Sequence, residues 1–444
     1  MPQRGRRAPL LDGAHRGVWS TLVALLVSAT RLCQLKQSAG PVAQATMISQ
    51  VRAVVPKGSG CGIKLVDGEL RSLAPDISKI KCGVVNLFLT APAAAGISLS
   101  VNENCDQTVR SDMIGALERL APGSAAAKTL MMSYPSLTLP VQNGHLAFGT
   151  WQGVYLARHR NGQESGDLVI TLLEGSSQQD FSHHADKRSS HSVGDEVERA
   201  LAGVATGICL VHEKHTSASL CVSCGDLEPA FSRVVPEKWN TEFFQHTFEG
   251  PDDMPGHVKS TLIGCSTSVP VSGGRLALGP EQQVLLHEHR NAGGWGGGHR
   301  RQLAVTVLSG DSSTTVQGSM EVPVAGSLTD LTRALDEHVA QAKLRGPGIL
   351  QVFAQVPTCG VLCAEEAACR VWQHAVERIP GAATDPVVQA ALAGSSIDIP
   401  YGVDGKLCLG PEQRVYLFAA KPPDDDGAEP GKLPVLLTAQ GSKL

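Results

Sequence analysis

Three proline-marked segments recur at equal intervals along the chain, and a single ordinary domain cannot accommodate that. Ser-Leu-Thr-Leu-Pro at 136–140 leads to Gly-Thr-Trp-Gln-Gly-Val-Tyr at 149–155. Ser-Thr-Ser-Val-Pro at 266–270 leads to Gly-Pro-Glu-Gln-Gln-Val-Leu at 279–285, and Ser-Ile-Asp-Ile-Pro at 396–400 leads to Gly-Pro-Glu-Gln-Arg-Val-Tyr at 410–416. Pro140, Pro270 and Pro400 stand 130 residues apart. Such a period implies one small domain written three times, and a 444-residue chain holds three domains at roughly 100–200 residues each. The expected boundaries are 45–176, 190–312 and 318–441, after a separate segment at 1–41.

Within the first copy, alternating apolar residues predict strands near 46–55, 84–89, 97–101, 137–141, 154–157 and 168–173. Between them, Val109, Met113, Ile114, Leu117 and Leu120 form an apolar stripe at helical spacing over 108–120. Asn143-Gly144 predicts a tight turn. The second and third copies repeat the order, with Pro236 shortening the second helix. Stretches 175–194 and 310–326, rich in Ser, Gly and charge, read as linkers. The fold class is therefore α+β, mostly antiparallel sheet.

Aromatic residues make up only 4% of the chain, so the cores must be built from Val, Leu, Ile and Ala. A formal net charge of −4 lacks the basic face that a nucleic-acid partner requires. The twelve cysteines mostly fall at non-equivalent positions of the copies, which favours reduced thiols over a disulfide framework. At the start, Arg4, Arg6, Arg7 and Arg16 flank an apolar run at 18–27 followed by Ser28-Ala29. That pattern is a targeting segment, and the run is shorter than the roughly 20 residues of a membrane span, so no permanent span is expected. Secretory entry and a two-part plastid presequence both fit, the plastid being preferred.

The densest chemistry occurs once. His-Thr-Phe-Glu-Gly-Pro-Asp-Asp-Met-Pro-Gly-His-Val-Lys-Ser at 246–260 carries His246, Asp252, Asp253, His257 and Lys259, and His215, Thr216 and Ser217 lie upstream. Neutral imidazoles at His215, His246 and His257 suit zinc, nickel or manganese, with Asp253 as a further ligand; magnesium prefers oxygen ligands. Plainer readings stand beside these: His215 as a structural histidine, Asp252-Asp253 as a cap, Lys259 as a solvated side chain, Glu288 with Arg290 as a surface ion pair, and Glu103 as a helix cap.

His-Thr-Ser-Ala-Ser-Leu at 215–220, the 249–260 run, Gly-Arg-Leu-Ala-Leu-Gly at 274–279 and Glu-His-Arg at 288–290 resemble the YjbQ family, called secondary thiamine-phosphate synthase. Asn-Glu-Asn-Cys-Asp at 102–106 and 149–156 carry other parts of the same pattern. The resemblance implies β-sandwich domains with packed helices that associate as trimers around clustered histidines and acids. It implies a metal-assisted transferase joining a pyrimidine diphosphate to a thiazole phosphate, with a divalent metal (zinc, manganese or magnesium) and a small phosphate substrate. The catalytic candidates are then His215, His257, Asp253 and Glu103. Thr216, Ser217, Lys259, Asn102 and Asn104 are the candidates for holding substrate. A metal or small-anion binding protein without turnover, or a structural protein with a relic site, are the alternatives.

The copies have diverged unevenly. The first has Ala94 and the run 125–132 at the histidine positions, the third has Pro357 and Val387, and the second has Ser223-Cys-Gly in place of Asn-Glu-Asn. One metal site per chain follows. Two arrangements remain: a composite site in an intramolecular pseudo-trimer, joining the second copy's histidines to Glu103, Asn102, Asn104 and Asp106 of the first, or a second copy acting alone with Glu288 or Asp253. The pseudo-trimer implies a monomeric chain with internal threefold symmetry.

Overall fold

The computed structural model describes residues 44–55, 60–161, 166–291, 297–420 and 431–442. The expected targeting segment lies outside the described residues. Residues from Ala43 onward form one compact unit, so the segments below share packed surfaces.

The first segment pairs a large and a small antiparallel sheet. The large sheet runs Thr46–Val55, Gly166–Glu174, Cys82–Leu89, Ser136–Gln142, His145–Leu146, and the small one Gly62–Leu65, Gln152–Arg158, Ile97–Glu103. The second segment repeats both orders with Ser177–Ala185, His299–Ser309, Thr206–Glu213, Ser266–Ser272, Arg275–Leu276, and with Ser189–Ser192, Gln283–Glu288, Ala218–Ser223. Residues 315–442 carry Thr315–Val324, Gly431–Ser442, Arg345–Ala354, Ser396–Tyr401 and a small sheet of Leu328–Asp330, Arg414–Ala419, Cys359–Ala364. These are repeated α+β domains with antiparallel sheets, as expected. The presumed linkers are the exception. Ser177–Ala185 and Thr315–Val324 are strands along sheet edges, because main-chain pairing tolerates the polar side chains that an edge turns to water.

Local chemistry accounts for the helices. In Gln107–Leu120 the buried residues Val109, Met113, Ala116, Leu117 and Leu120 share one face, and the Asp106 carboxylate caps the start by accepting from Thr108 N at 2.8 Å. In the second segment the corresponding helix is only Glu228–Val234, stopping before Pro236. Asn143 and Gly144 both take positive φ, 50° and 79°, forming the expected hairpin turn. Helices from all segments bury Met113, Leu117, Phe231, Met254, Val258, Trp372 and Val376 in a common core. A second shared cluster joins Val84 and Leu173 to Ile208, Leu308 and Ile349. This explains why Cys82–Leu89 is buried on both faces: one packs on its own small sheet, the other on neighbouring segments. All eleven cysteines among the described residues are free.

Where the segments meet, backbones approach closely. A Cβ on Gly149 would stand 1.8 Å from Lys214 O, so one segment's loop can touch the next only without a side chain. Gly149→Ala should lower stability by about 1–3 kcal/mol through overpacking, read as a fall in the denaturant midpoint. An unchanged midpoint would show that this junction is not tightly packed.

Candidate functional site

Two histidines and a carboxylate converge where the first and second segments meet. His246 lies in the loop before the helix Asp253–Ile263; that helix begins with Asp253 and carries His257 one turn later, at i+4. Residues four apart share a helix face, so Asp253 and His257 point together. One ligand-type atom each from His246, Asp253 and His257 lies within 4.8 Å of the others. All three side chains are buried.

The ring nitrogens define the chemistry. His246 Nδ1 lies 2.7 Å from Asp106 Oδ2 and its Nε2 lies 2.8 Å from Asp253 Oδ2. His257 Nδ1 lies 2.8 Å from Asn102 Oδ1, and its Nε2 is 3.5 Å from the same Asp253 Oδ2. Asn102 also donates to His257 O and Thr261 Oγ1. In each histidine, a first-segment acceptor holds Nδ1 and leaves Nε2 turned to Asp253. Asp106 does two jobs, capping its own helix with Oδ1 and holding His246 with Oδ2. Asp112 fixes the approach to His246 by accepting from Gln245 N and His246 N.

The electrostatics follow the contacts. Burial works to lower His246, but its hydrogen bonds to Asp253 and Asp106 outweigh it and lift the imidazole to about 9. Burial raises the Asp253 carboxyl, yet hydrogen bonds to His246 and His257 and the charge of Arg290 hold it well below the usual carboxylate range. His215 is pushed down to about 3, by burial first and then by the charges of Arg301, His257 and Arg290. Burial lifts Glu103, and nearby His257 and His246 oppose that rise.

His215 differs from the other two histidines. Its Nδ1 accepts from Ser217 N at 3.0 Å, so in the neutral ring the proton sits on Nε2. The ligand-type atoms that converge are those of His246, Asp253 and His257; among the described residues His215, expected with them, is not in that group. Buried Glu213, lifted to about 8 mainly by its desolvation, holds the His215 backbone through His215 N.

The remaining candidates divide. Ser217 Oγ donates to Asp253 Oδ1 at 3.2 Å, and Thr216 is buried beside it in sequence. Glu103 accepts from Cys105 N, not from a second-segment histidine. The Asn104 amide is taken up by Thr150 O and Gln152 O, which gives it a role in shaping its loop. Lys259 is 1% exposed, against the solvated reading. The helical turn carries it to the opposite side from His257, where Nζ meets Glu228 Oε1 at 2.6 Å and Ser232 Oγ at 3.1 Å. Arg188 and His289 complete that separate buried network around Glu228.

Glu288 is also elsewhere, paired with buried Arg301. Arg290 reaches Asp252 and Asp253 instead, so the expected Glu288–Arg290 surface pair does not form. The strand Gln283–Glu288 ends before Arg290, whose N–H still donates to Glu288 Oε1 while its guanidinium turns to the two aspartates. Arg290 and Asp112 were the residues whose roles in the site the sequence concealed, since neither lies in the histidine segment. Asn102→Ala should weaken any metal held on the two Nε2 atoms by about 10–100-fold, the usual cost of losing a partner that orients a ligating histidine. Competition with a chromogenic chelator measures it, and unchanged affinity would remove Asn102 from the site.

Comparison with known proteins identifies the family. The model of the UPF0047 protein YjbQ-like family matches at 57–175 and again at 179–310, together more than half of the chain. A UPF0047 protein from Synechocystis is 36% identical over 129 residues, covering 27% of this chain and 83% of the relative. The YjbQ protein of Escherichia coli O157:H7 is 41% identical over 120 residues, covering 25% of this chain and 85% of the relative. Among solved structures, a conserved hypothetical protein from Thermus thermophilus is 28% identical with a TM-score of 0.23, covering 27% of this chain and 97% of its own. A protein of unknown function from Sulfolobus solfataricus is 20% identical with a TM-score of 0.26, covering 30% and 97%. With the family pattern matched twice in tandem, this chain belongs to the YjbQ-like UPF0047 family.

Proposed function

We propose that the chain is a metal-dependent transferase with one composite site, built across the first and second segments, that acts on a small phosphorylated substrate. The observation that carries this reading is the paired arrangement of rings: Asp106 and Asn102 hold Nδ1 of His246 and His257, and both Nε2 atoms face one Asp253 oxygen. Carboxylate or carbonyl on one ring nitrogen and metal on the other is the usual arrangement of ligating histidines. Two imidazoles and a carboxylate fit zinc or manganese better than magnesium. A bound ion would supply charge neutralisation for a departing phosphate or diphosphate.

The chain's own residues do the rest. His215 Nε2–H donates a hydrogen bond to the substrate, Ser217 and Arg290 hold Asp253 in place, and Glu103 stands near His257 and His246 with its carboxyl lifted by burial. The reaction in view is the joining of a pyrimidine diphosphate to a thiazole phosphate. Purified protein supplied with zinc or manganese and both precursors should form thiamine phosphate. Failure with every metal would leave the second reading, metal or anion binding without turnover. That reading draws on the commitment of Lys259 to Glu228, which removes the cation expected to hold substrate, and on the pairing of nearby Arg290 with Asp252 and Asp253.

Metal uptake at His246 displaces a proton held to about pH 9. Apparent affinity should therefore rise with pH up to about 9, by about tenfold per unit for a single displaced proton. The same group supports apo stability fully below its ordinary value of 6.5, and that support is lost as pH rises through about 9. Calorimetric titration in buffers of different ionisation enthalpy counts the released protons; none released at neutral pH would contradict His246 as a ligand.

We further read residues 315–442 as a third, diverged domain that closes an intramolecular pseudo-trimer. One contact recurs in a cycle. Gln152 Nε2 donates to Glu213 O at 2.9 Å, Gln282 Nε2 to Ala354 O at 3.0 Å, and Gln413 Nε2 to Leu89 O at 2.9 Å. Each links one segment to the next, the last returning to the first. A chain so closed should run as a monomer in light scattering; a trimer of chains would contradict it.

A further inference from the structure

Away from the histidine site, the ends of the helices enclose a cleft of about 800 Å³. Its lining carries Arg119 from the first segment, Arg233 and Lys238 from the second, and Arg370 and Arg378 from residues 315–442, with no carboxylate in the lining. All five basic side chains are exposed. From outside the cleft, Glu242 pairs with Arg119 and, at 3.9 Å, with Lys238, and Glu366 pairs with Arg370. Among the described residues, Arg233 and Arg378 have no carboxylate partner, Arg233 donating to Pro229 O. The floor is apolar, with Leu120, Val234 and Ile379 buried and Val371 44% exposed. Leu120, Val234 and Ile379 also line a small void beneath, continued by Met131, Leu262 and Leu392. A cationic rim above an apolar floor asks for a molecule of matching polarity.

We propose that this cleft binds a single-chain anionic amphiphile, a carboxylate or phosphate head on an alkyl chain. The head would sit among Arg233, Arg378 and Lys238, where guanidinium forks match both oxyanions. The alkyl chain would lie over Val371 and Ile379, taking apolar surface out of water. Pockets that bury most of a ligand have this composition, apolar walls with a few placed polar groups. None of these residues belongs to the His246–Asp253–His257 group, so the proposal stands apart from the metal site.

Calorimetry of the full chain with laurate and with dodecyl phosphate, below their micellar concentrations, tests it. Saturable binding at one site per chain is expected, weakened at least tenfold in Arg378→Glu and in Val371→Asp. Metal content should not change in either variant. Dodecanol or a neutral dodecyl maltoside binding as tightly would overturn the anionic head, and inorganic phosphate binding as tightly would overturn the alkyl body. Binding only to anionic vesicles, with none to free laurate, would turn the cleft into a membrane contact and overturn the single-chain ligand. Equal binding by wild type and Arg378→Glu would place the ligand elsewhere.

Discussion

His257→Ala should abolish tight metal binding while leaving the chain folded. Even an outer partner of a ligating histidine is worth about 10–100-fold in affinity, so losing a ligand itself should exceed roughly 100-fold. The His257 side chain fills a packed position, 2% exposed, and its removal leaves Asn102 Oδ1 still accepting from Glu103 N at 2.8 Å. Asn102 retains its bonds to His257 O and Thr261 Oγ1, which keeps the helix docked. The matched control is His215→Ala. With His215 Nδ1 accepting from Ser217 N, that variant should keep the ion and lose turnover. Metal analysis after dialysis separates the two, and equal metal loss in both variants would restore His215 to the ligand set.

Lys259→Met should destabilise the fold by about 3 kcal/mol with little direct effect on metal affinity. Removing one partner of a buried ion pair costs about 3–5 kcal/mol, because the remaining charge is left without compensation. The lower end applies because Glu228 keeps Arg188 and His289 as partners. Burial raises the Glu228 carboxyl, but the charges and hydrogen bonds of His289 and Lys259 hold it well below its ordinary value. A depressed carboxyl contributes stability above its unfolded value of 4.5, lost as pH falls through its folded one. The destabilisation should thus be full at neutral pH and shrink in strong acid. Urea unfolding at two pH values measures it. A small stability change with a large rise in KM for a phosphate substrate would return Lys259 to substrate binding.

The repeated period and the apolar alternation made much of the fold legible in the sequence. Val109, Met113 and Leu117 recur at helical spacing and lie buried together, and the strand runs around Leu87, Leu139 and Val154 needed no partner information to be read. Ser177–Ala185 was not legible, since a polar edge strand is defined by the backbone it pairs with and not by its own pattern. In the site, His246, His257 and Asp253 stood out because imidazoles and acids cluster in one segment. The uneven loss of motifs between copies pointed to a composite site, and Asn102 and Asp106 do reach across to the histidines. Glu103 makes no such hydrogen bond. Arg290 and Lys259 were misplaced for one reason: a charged residue's partner lies far away in sequence, and only the fold shows which face of its strand or helix it occupies.

The central claim is that one metal ion sits on His246, His257 and Asp253 of the second segment, with its ligands oriented by the first. A crystal structure of the chain grown with zinc, phased at the metal edge, tests this most directly. The account predicts one anomalous peak per chain, bonded to both Nε2 atoms and an Asp253 oxygen, with Asp106 and Asn102 still on the two Nδ1 atoms. A peak elsewhere, three equivalent peaks, or none at saturating zinc would contradict it.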